Sequence, residues 1–279
     1  FNMVIKSYSK INLSLNVNSK RRKGLHEIQS LYCLINLFDE IKIIKTINKD
    51  KIVFKGPFKK FIKKNNNTVS NLLKILRKLN LISNYYSITV KKNIPVFGGL
   101  GGGTSNAAFI LRYLLKDNLK KNILTNLEST IGTDLKLFLK NQGFVKNLKT
   151  IKEFNKKHNF YFVLIQPNFK CSTKKIYSKV EKFSKKKQFN KILFKNRDKF
   201  LEYLCKSRND LQFIVERKYP IMKKLLTDIK NKKGCQISRM TGSGSVCYGL
   251  FSNKIVAKNA LNKLKRIYPK FWFKLAKTV

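Results

Sequence analysis

Apolar residues return every three or four positions over 68–79, at Val69, Leu72, Leu73, Leu76 and Leu79. That spacing places them on one face of an amphipathic helix. Similar runs predict helices over 119–131, which Gly132 would end, and over 173–183, 209–219, 221–231 and 254–266, with Pro220 parting two of them. Continuous or alternating apolar runs predict strands over 3–17, with a bend near Ser9-Lys10, and over 41–47, 51–54, 86–91, 143–146, 160–166, 235–241, 246–251 and 271–277. Residues 25–37 are apolar with polar breaks, 135–139 form a short apolar stretch, and 18–24, 59–67 and 185–187 read as charged turns or loops. Lysine and asparagine dominate 147–160, which suggests two domains, 1–155 and 156–279. At about 150 residues per domain the length agrees. Helix-linked and hairpin-like connections are mixed, so the pattern predicts an α+β protein in two parts.

Between the strand at 86–91 and a helix predicted over 106–115 lies the stretch 94–108, Ile-Pro-Val-Phe-Gly-Gly-Leu-Gly-Gly-Gly-Thr-Ser-Asn-Ala-Ala. Gly98, Gly99, Gly101, Gly102 and Gly103 let the backbone take conformations closed to other residues and let a ligand approach the main chain. A helix start adds unpaired N–H groups and the positive end of a dipole. Together they predict an anion site of the kind phosphate occupies. A Walker loop is excluded, since Thr104 stands where lysine is required, and the dinucleotide spacing of glycines fails as well. Thr104 and Ser105 could cap the helix or contact a nucleotide phosphate or its magnesium ion.

Phosphoryl transfer needs a phosphate cradle, positive charge near the moving group, and a group that orients or deprotonates the attacking hydroxyl. Lys10, in Ser7-Tyr-Ser-Lys-Ile-Asn-Leu13, interrupts a strand-like run that should be partly buried, whereas an isolated lysine is ordinarily a surface residue. Asp134, in Gly132-Thr-Asp-Leu135, has the context of a turn or helix cap as much as that of a catalyst. His26 and Tyr177, taken alone, read as a polar surface residue and a core aromatic.

The glycine stretch resembles the second motif of the GHMP kinases. Ser-Tyr-Ser-Lys-Ile-Asn-Leu is similar to their first motif, and Met240-Thr-Gly-Ser-Gly-Ser245 to their third. The resemblance implies a two-domain α+β fold with the active site in the cleft between the domains. It also implies ATP with Mg2+ as phosphate donor, held by Pro95, Val96, Phe97, Gly98, Gly99, Leu100, Gly101, Gly102, Gly103, Thr104 and Ser105, with Asn67, Thr68 and Lys92 at the adenine. Asp134 would be the base for the substrate hydroxyl and Lys10 its charge partner, which would also stabilise the transferring phosphoryl group. Gly24-Leu-His-Glu-Ile28 and Ser172-Thr-Lys-Lys-Ile-Tyr177 resemble the cytosine-reading blocks of one branch, which maps His26 and Tyr177 onto the base. Asn12 and Lys140 would contact the rest of a cytidine diphosphate substrate. The activity so implied is phosphorylation of the 2-hydroxyl of 4-diphosphocytidyl-2-C-methyl-D-erythritol, in non-mevalonate isoprenoid precursor synthesis. No metal site beyond the nucleotide's magnesium is implied. Arg208-Asn-Asp-Leu211 matches a family motif expected to be structural.

Three departures stand out. Phe97 replaces a small residue, usually glycine. Leu25 replaces an aromatic that completes the cytosine sandwich, and a base–aromatic stack is worth about 1–3 kcal/mol. Leu135-Lys136 replaces Val-Pro, which brings a further positive charge toward the site.

Composition changes the picture in one respect. Lysine and arginine number 61 against 14 acidic residues, a formal charge of +47. Such a charge raises the alternative of a basic RNA-binding protein without activity. The excess is spread along the chain and accompanied by asparagine, isoleucine and phenylalanine, the signature of adenine- and thymine-rich codons. A GHMP kinase for another small alcohol is the second alternative, against which the His26 and Tyr177 blocks argue. Five cysteines without C-x-x-C spacing, no apolar run long enough for a membrane span and no apolar leader fit a reduced, cytoplasmic enzyme, monomeric or homodimeric, with no specific nucleic-acid partner.

Overall fold

A computed structural model describes residues 4–21, 25–116, 121–147, 150–154, 157–188 and 195–279. Residues 22–24 of the predicted turn, 119–120 of a predicted helix, and parts of the lysine- and asparagine-rich stretch lie outside them. Contacts divide the chain into two units. The first holds the chain up to Lys10 with Leu37–Val96 and Gly101–Lys140; the second holds Ile11–Asn36, Phe97–Leu100 and Asn141–Val279. The units are interleaved in sequence, where the pattern of residues suggested one linear boundary after 155.

In the first unit, the far end of strand β3 (His26–Thr46) pairs antiparallel with β5 (Tyr85–Lys91), which pairs in parallel with β4 (Lys51–Lys55). The register sets Ile41 opposite Val90 and Ile43 opposite Ile88. Helix α1 (Thr68–Lys78) buries Val69, Leu72, Leu73 and Leu76, as the spacing predicts. It packs on α2 (Gly102–Leu115) and α3 (Lys121–Ile131), and α2 packs on the short 3₁₀ turn Leu135–Leu139. Strand β1 (Ile5–Asn12) carries Lys10 at the unit's edge in sequence.

Two differences from the sequence reading have clear causes. β3 is a single strand of 21 residues, although Asp39 and Glu40 break its apolar pattern. Asp39 is fully buried and saturated with hydrogen bonds, so it does not end the strand. The bend expected at Ser9-Lys10 falls later, where the N–H groups of Leu13 and Ser14 both donate to the Leu31 carbonyl.

In the second unit, β2 (Asn16–Lys20) and β6 (Gln142–Asn147) each pair with the near end of β3, and β7 (Thr150–Glu153) pairs with β6. A separate antiparallel sheet runs in the order β11 (Trp272–Lys277), β8 (Tyr161–Gln166), β10 (Cys247–Phe251), β9 (Ile237–Met240). Val163, Ile165, Met222, Leu225, Ile229 and Leu264 form the heart of its core. Helices α6 (Gln212–Lys218), α7 (Pro220–Lys230) and α8 (Lys254–Ile267) supply the helical side.

Helix α4 (Thr173–Tyr177) is much shorter than the predicted 173–183. The chain beyond it is held elsewhere: Ser184 N–H donates to the Val17 carbonyl at 2.8 Å, and Lys187 N–H to Gln29 Oε1 at 2.7 Å. Those bonds to β2 and β3 compete with the helical ladder. Helix α5 (Arg197–Cys205), which buries Phe200, Leu201 and Leu204, lies in a stretch the apolar pattern did not single out. Among the described residues no helix is long and apolar enough to cross a membrane, and all five cysteines are free thiols.

Candidate active site

In the first unit, Lys10 and Asp134 meet. The Lys10 ammonium stands 3.5 Å from Asp134 Oδ2; the lysine side chain is 4% exposed and the aspartate 33%. A long cation is buried here because its stem lies along a glycine. A Cβ on Gly101 would stand 3.4 Å from Lys10 Cε and 2.7 Å from the Phe138 ring. Gly101 also adopts φ +71°, a left-handed conformation that no β-carbon penalises in glycine.

Gly101 is the N-cap of α2, and no side chain caps that helix. Its first internal bond runs from Ser105 N–H to the Gly101 carbonyl at 2.8 Å. The amides of Gly102, Gly103 and Thr104 are therefore those that a helix start leaves for a ligand. Helix α2 begins earlier than predicted, inside the glycines, whose low propensity hides a helix start from sequence reading. The Asp134 segment is brought against this turn by Gly132, at φ +139°, where an added Cβ would meet Thr104 Oγ1 at 3.1 Å. Thr68 Oγ1 donates to the Gly103 carbonyl at 2.8 Å, which joins the start of α1 to the same loop.

This cradle fits nucleotide phosphates. Gly103 is exposed, and a Cβ placed on it would touch only Thr68, at 3.6 Å. The carboxylate beside it can accept a proton, and the ammonium can offset developing negative charge. Among the described residues there is no cluster of three or more His, Cys, Asp or Glu side chains. Magnesium bound through phosphate oxygens, waters and one carboxylate needs no such cluster.

Several predicted nucleotide contacts face elsewhere. Ser105 is fully buried, and its hydroxyl donates to the Tyr8 carbonyl at 2.5 Å. Its side chain is thus committed to β1 rather than open to phosphate. Lys92 is fully buried too, with its ammonium paired to Asp39 and donating to Asn106 Oδ1 at 2.8 Å. Asn67 caps α1 by accepting from the N–H groups of Val69 and Ser70. Lys136 does not add net charge to the site: it pairs with Glu128 at 2.8 Å. Lys140 is exposed at the end of the 3₁₀ turn. Pro95 is buried and Val96 half-buried.

The remaining predicted residues lie in the second unit. Gly99 (φ +75°) leaves no room for a side chain, since a Cβ would stand 2.2 Å from the Thr241 carbonyl oxygen. Ser245 N–H donates to the Phe97 carbonyl at 3.0 Å and Val246 N–H to the Gly98 carbonyl at 3.2 Å, while Leu100 is buried. The two glycine turns therefore meet backbone to backbone. Asn209 holds the second turn, donating to the Met240 and Gly242 carbonyls at 2.8 Å each. That gives the Arg-Asn-Asp motif its structural part. Asn12 donates through its N–H to Thr241 Oγ1 at 2.9 Å and through Nδ2 to Ser30 Oγ at 2.8 Å. Sequence reading did not single out Arg239, whose buried guanidinium donates to the Leu13, Leu204 and Ser207 carbonyls. Its place in a short apolar strand was the available signal.

Phe97 sits at φ +57° and is 46% exposed, with Lys170 Nζ 5.2 Å from its ring centroid. A left-handed phenylalanine is strained by about 1–2 kcal/mol, against a cation–π contact worth about 0.5–1 kcal/mol at an exposed site. Phe97→Gly should therefore stabilise the protein by about 0.5–1 kcal/mol in urea unfolding. A destabilised variant would show that the ring's packing outweighs the backbone.

His26, 8% exposed, and Tyr177 lie side by side with ring centroids 5.1 Å apart and planes tilted by 37°. The rings touch each other, so a base would lie against the pair rather than between them. Leu25 beside His26 is 48% exposed and adds an aliphatic surface.

The family model for the GHMP kinases N terminal domain matches residues 67–135, and that for GHMP kinases C terminal matches 186–270. A 4-diphosphocytidyl-2-C-methyl-D-erythritol kinase of Pelagibacter ubique is 40% identical over 99% of this chain and 98% of its own length. The enzyme of that name from Anaplasma marginale is 30% identical over 96% of this chain and 94% of its own. Among solved structures, a 4-(cytidine 5'-diphospho)-2C-methyl-D-erythritol kinase matches with a TM-score of 0.75 at 23% identity, over 98% of this chain and 99% of that one. Methanococcus jannaschii mevalonate kinase matches with a TM-score of 0.62 at 16% identity, over 100% and 99%. Both share the fold.

Proposed function

This chain belongs to the GHMP kinase family, and on that premise we propose that it transfers the γ-phosphoryl group of ATP to the 2-hydroxyl of 4-diphosphocytidyl-2-C-methyl-D-erythritol, within isoprenoid precursor synthesis. The full-length relatives that carry the name of this kinase support the substrate. The observation that carries the mechanism is the Lys10–Asp134 pair, 3.5 Å apart, beside the uncapped start of α2.

ATP supplies the phosphoryl group, with magnesium to screen its charge. The amides of Gly102, Gly103 and Thr104 would hold the phosphates, and the Thr104 hydroxyl would contact the same anion or its magnesium ion. Asp134 takes the proton of the 2-hydroxyl as that oxygen forms its bond to phosphorus and the bond to the leaving diphosphate breaks. Lys10 balances the aspartate and then the charge on the moving group. His26 and Tyr177 read the cytosine, with Asn12 and Lys140 toward the sugar and diphosphate. Thr68 and Asn67 border the nucleotide through the start of α1. Lys92 acts there through its partners and not by touching the base. The protein works in the cytoplasm as a monomer or homodimer, without a nucleic-acid partner.

ADP release is the direct test, run with magnesium ATP and, in parallel, the cytidyl substrate, mevalonate and homoserine. Turnover should need the cytidyl substrate. Equal turnover with either other alcohol would assign the chain to another member of the family.

A further inference from the structure

A buried polar network around Lys92 lies behind the first turn of α2, and none of its members takes part in the proton or phosphoryl transfer. Asp39 Oδ1 accepts from the N–H groups of Asn93 at 2.7 Å and Ile94 at 2.8 Å, where the chain turns toward the glycine stretch. Asp39 Oδ2 pairs with the Lys92 ammonium and accepts from Asn106 Nδ2 at 2.9 Å. Asn106 Oδ1 accepts from Lys92 at 2.8 Å, and Asn106 Nδ2 also donates to Ser7 Oγ at 3.0 Å. The Ser7 and Ser105 hydroxyls share a hydrogen bond of 2.7 Å. None of these five side chains is more than 2% exposed.

Stability is a poor reason for such a network. Burial pushes the Lys92 ammonium below the ordinary lysine range, and Asp39 offsets this only in part. Apolar residues of equal volume often stabilise a fold as well as a buried ion pair does, so the better-attested use of such a pair is to select one arrangement. A network with every donor and acceptor matched has few alternative geometries. This one ties together four segments: β1 three residues before Lys10, β3, the approach to the glycine stretch, and the first turn of α2. Its members touch the loop at both ends, and a Cβ on Gly102 would already stand 3.0 Å from Ile94 Cγ2.

We infer that Asp39, Lys92 and Asn106 are positioning residues that hold the amino end of α2 in register with Lys10 and so set the protein's affinity for nucleotide phosphates. The inference rests on the reading of that helix start as the phosphate site. Calorimetric titration with a non-hydrolysable ATP analogue and magnesium tests it on the native protein, on Asn106→Ala, and on the double variant Asp39→Asn with Lys92→Met, which leaves no lone buried charge. Ser7→Ala is the mildest change and keeps the test open should another variant fail to fold. Each folded variant should bind the analogue about tenfold more weakly, with the KM for the cytidyl substrate unchanged. Variants that melt earlier yet bind within about twofold of native would overturn the inference. A native protein that binds no analogue would remove the phosphate-site reading and the inference with it.

Discussion

Asp134→Asn should lower kcat by about 10²–10⁴-fold, the range a positioned base contributes, while the protein still binds nucleotide. Asparagine keeps the shape of the side chain and an oxygen for Lys10 to donate to, but it cannot take the proton of an attacking hydroxyl. Asp134 is 33% exposed and its distance to Lys10 is 3.5 Å, so part of the pair's attraction is screened and the fold should survive. Thermal melting checks that point. Lys10→Met should also lower kcat, and the double variant should be little worse than the poorer single one, because groups that act as a unit are not additive. Steady-state ADP release with saturating cytidyl substrate measures all three. If Asp134→Asn turns over within about tenfold of native, the base is another residue or none.

The elements that were legible in the sequence were those whose burial follows a simple period. Helix α1 presents Val69, Leu72, Leu73 and Leu76 to the core as their spacing requires. Lys10 and Asp134 were legible only through their motifs, since neither residue type announces burial or contact. What sequence could not supply was direction. Ser105 and Thr104 are neighbours, yet the Ser105 hydroxyl turns inward to Tyr8 while Thr104 is only half-buried, with its hydroxyl toward Gly132. Lys136 looked like added positive charge, but Glu128 sits eight residues away and neutralises it, a pairing that exists only because α3 and the 3₁₀ turn pack together. Asp39 breaks the apolar pattern ahead of the strand predicted over 41–47 and is the centre of a network, because its partners come from segments more than fifty residues away.

The second large effect concerns the substrate. Tyr177→Leu should raise the KM for the cytidyl substrate by about 5–150-fold, the equivalent of a lost base–aromatic stack, and leave kcat and the KM for ATP near native. Leucine is the informative choice because Tyr177 also packs against the second unit's core, so alanine would mix binding with stability. Leucine keeps most of the apolar volume but has no ring face. Tyr177→Phe keeps the face and should bind the substrate as native does. His26 touches Tyr177 with centroids 5.1 Å apart, so the two rings form one surface for the base. With Leu25 in place of an aromatic, that surface offers only one stacking face, and the loss of Tyr177 removes the larger of its two rings. Leu25→Tyr should then move KM in the opposite direction. A Tyr177→Leu variant whose KM for the cytidyl substrate stays native, with the fold intact, would mean that the cytosine lies elsewhere and that this pair is core packing.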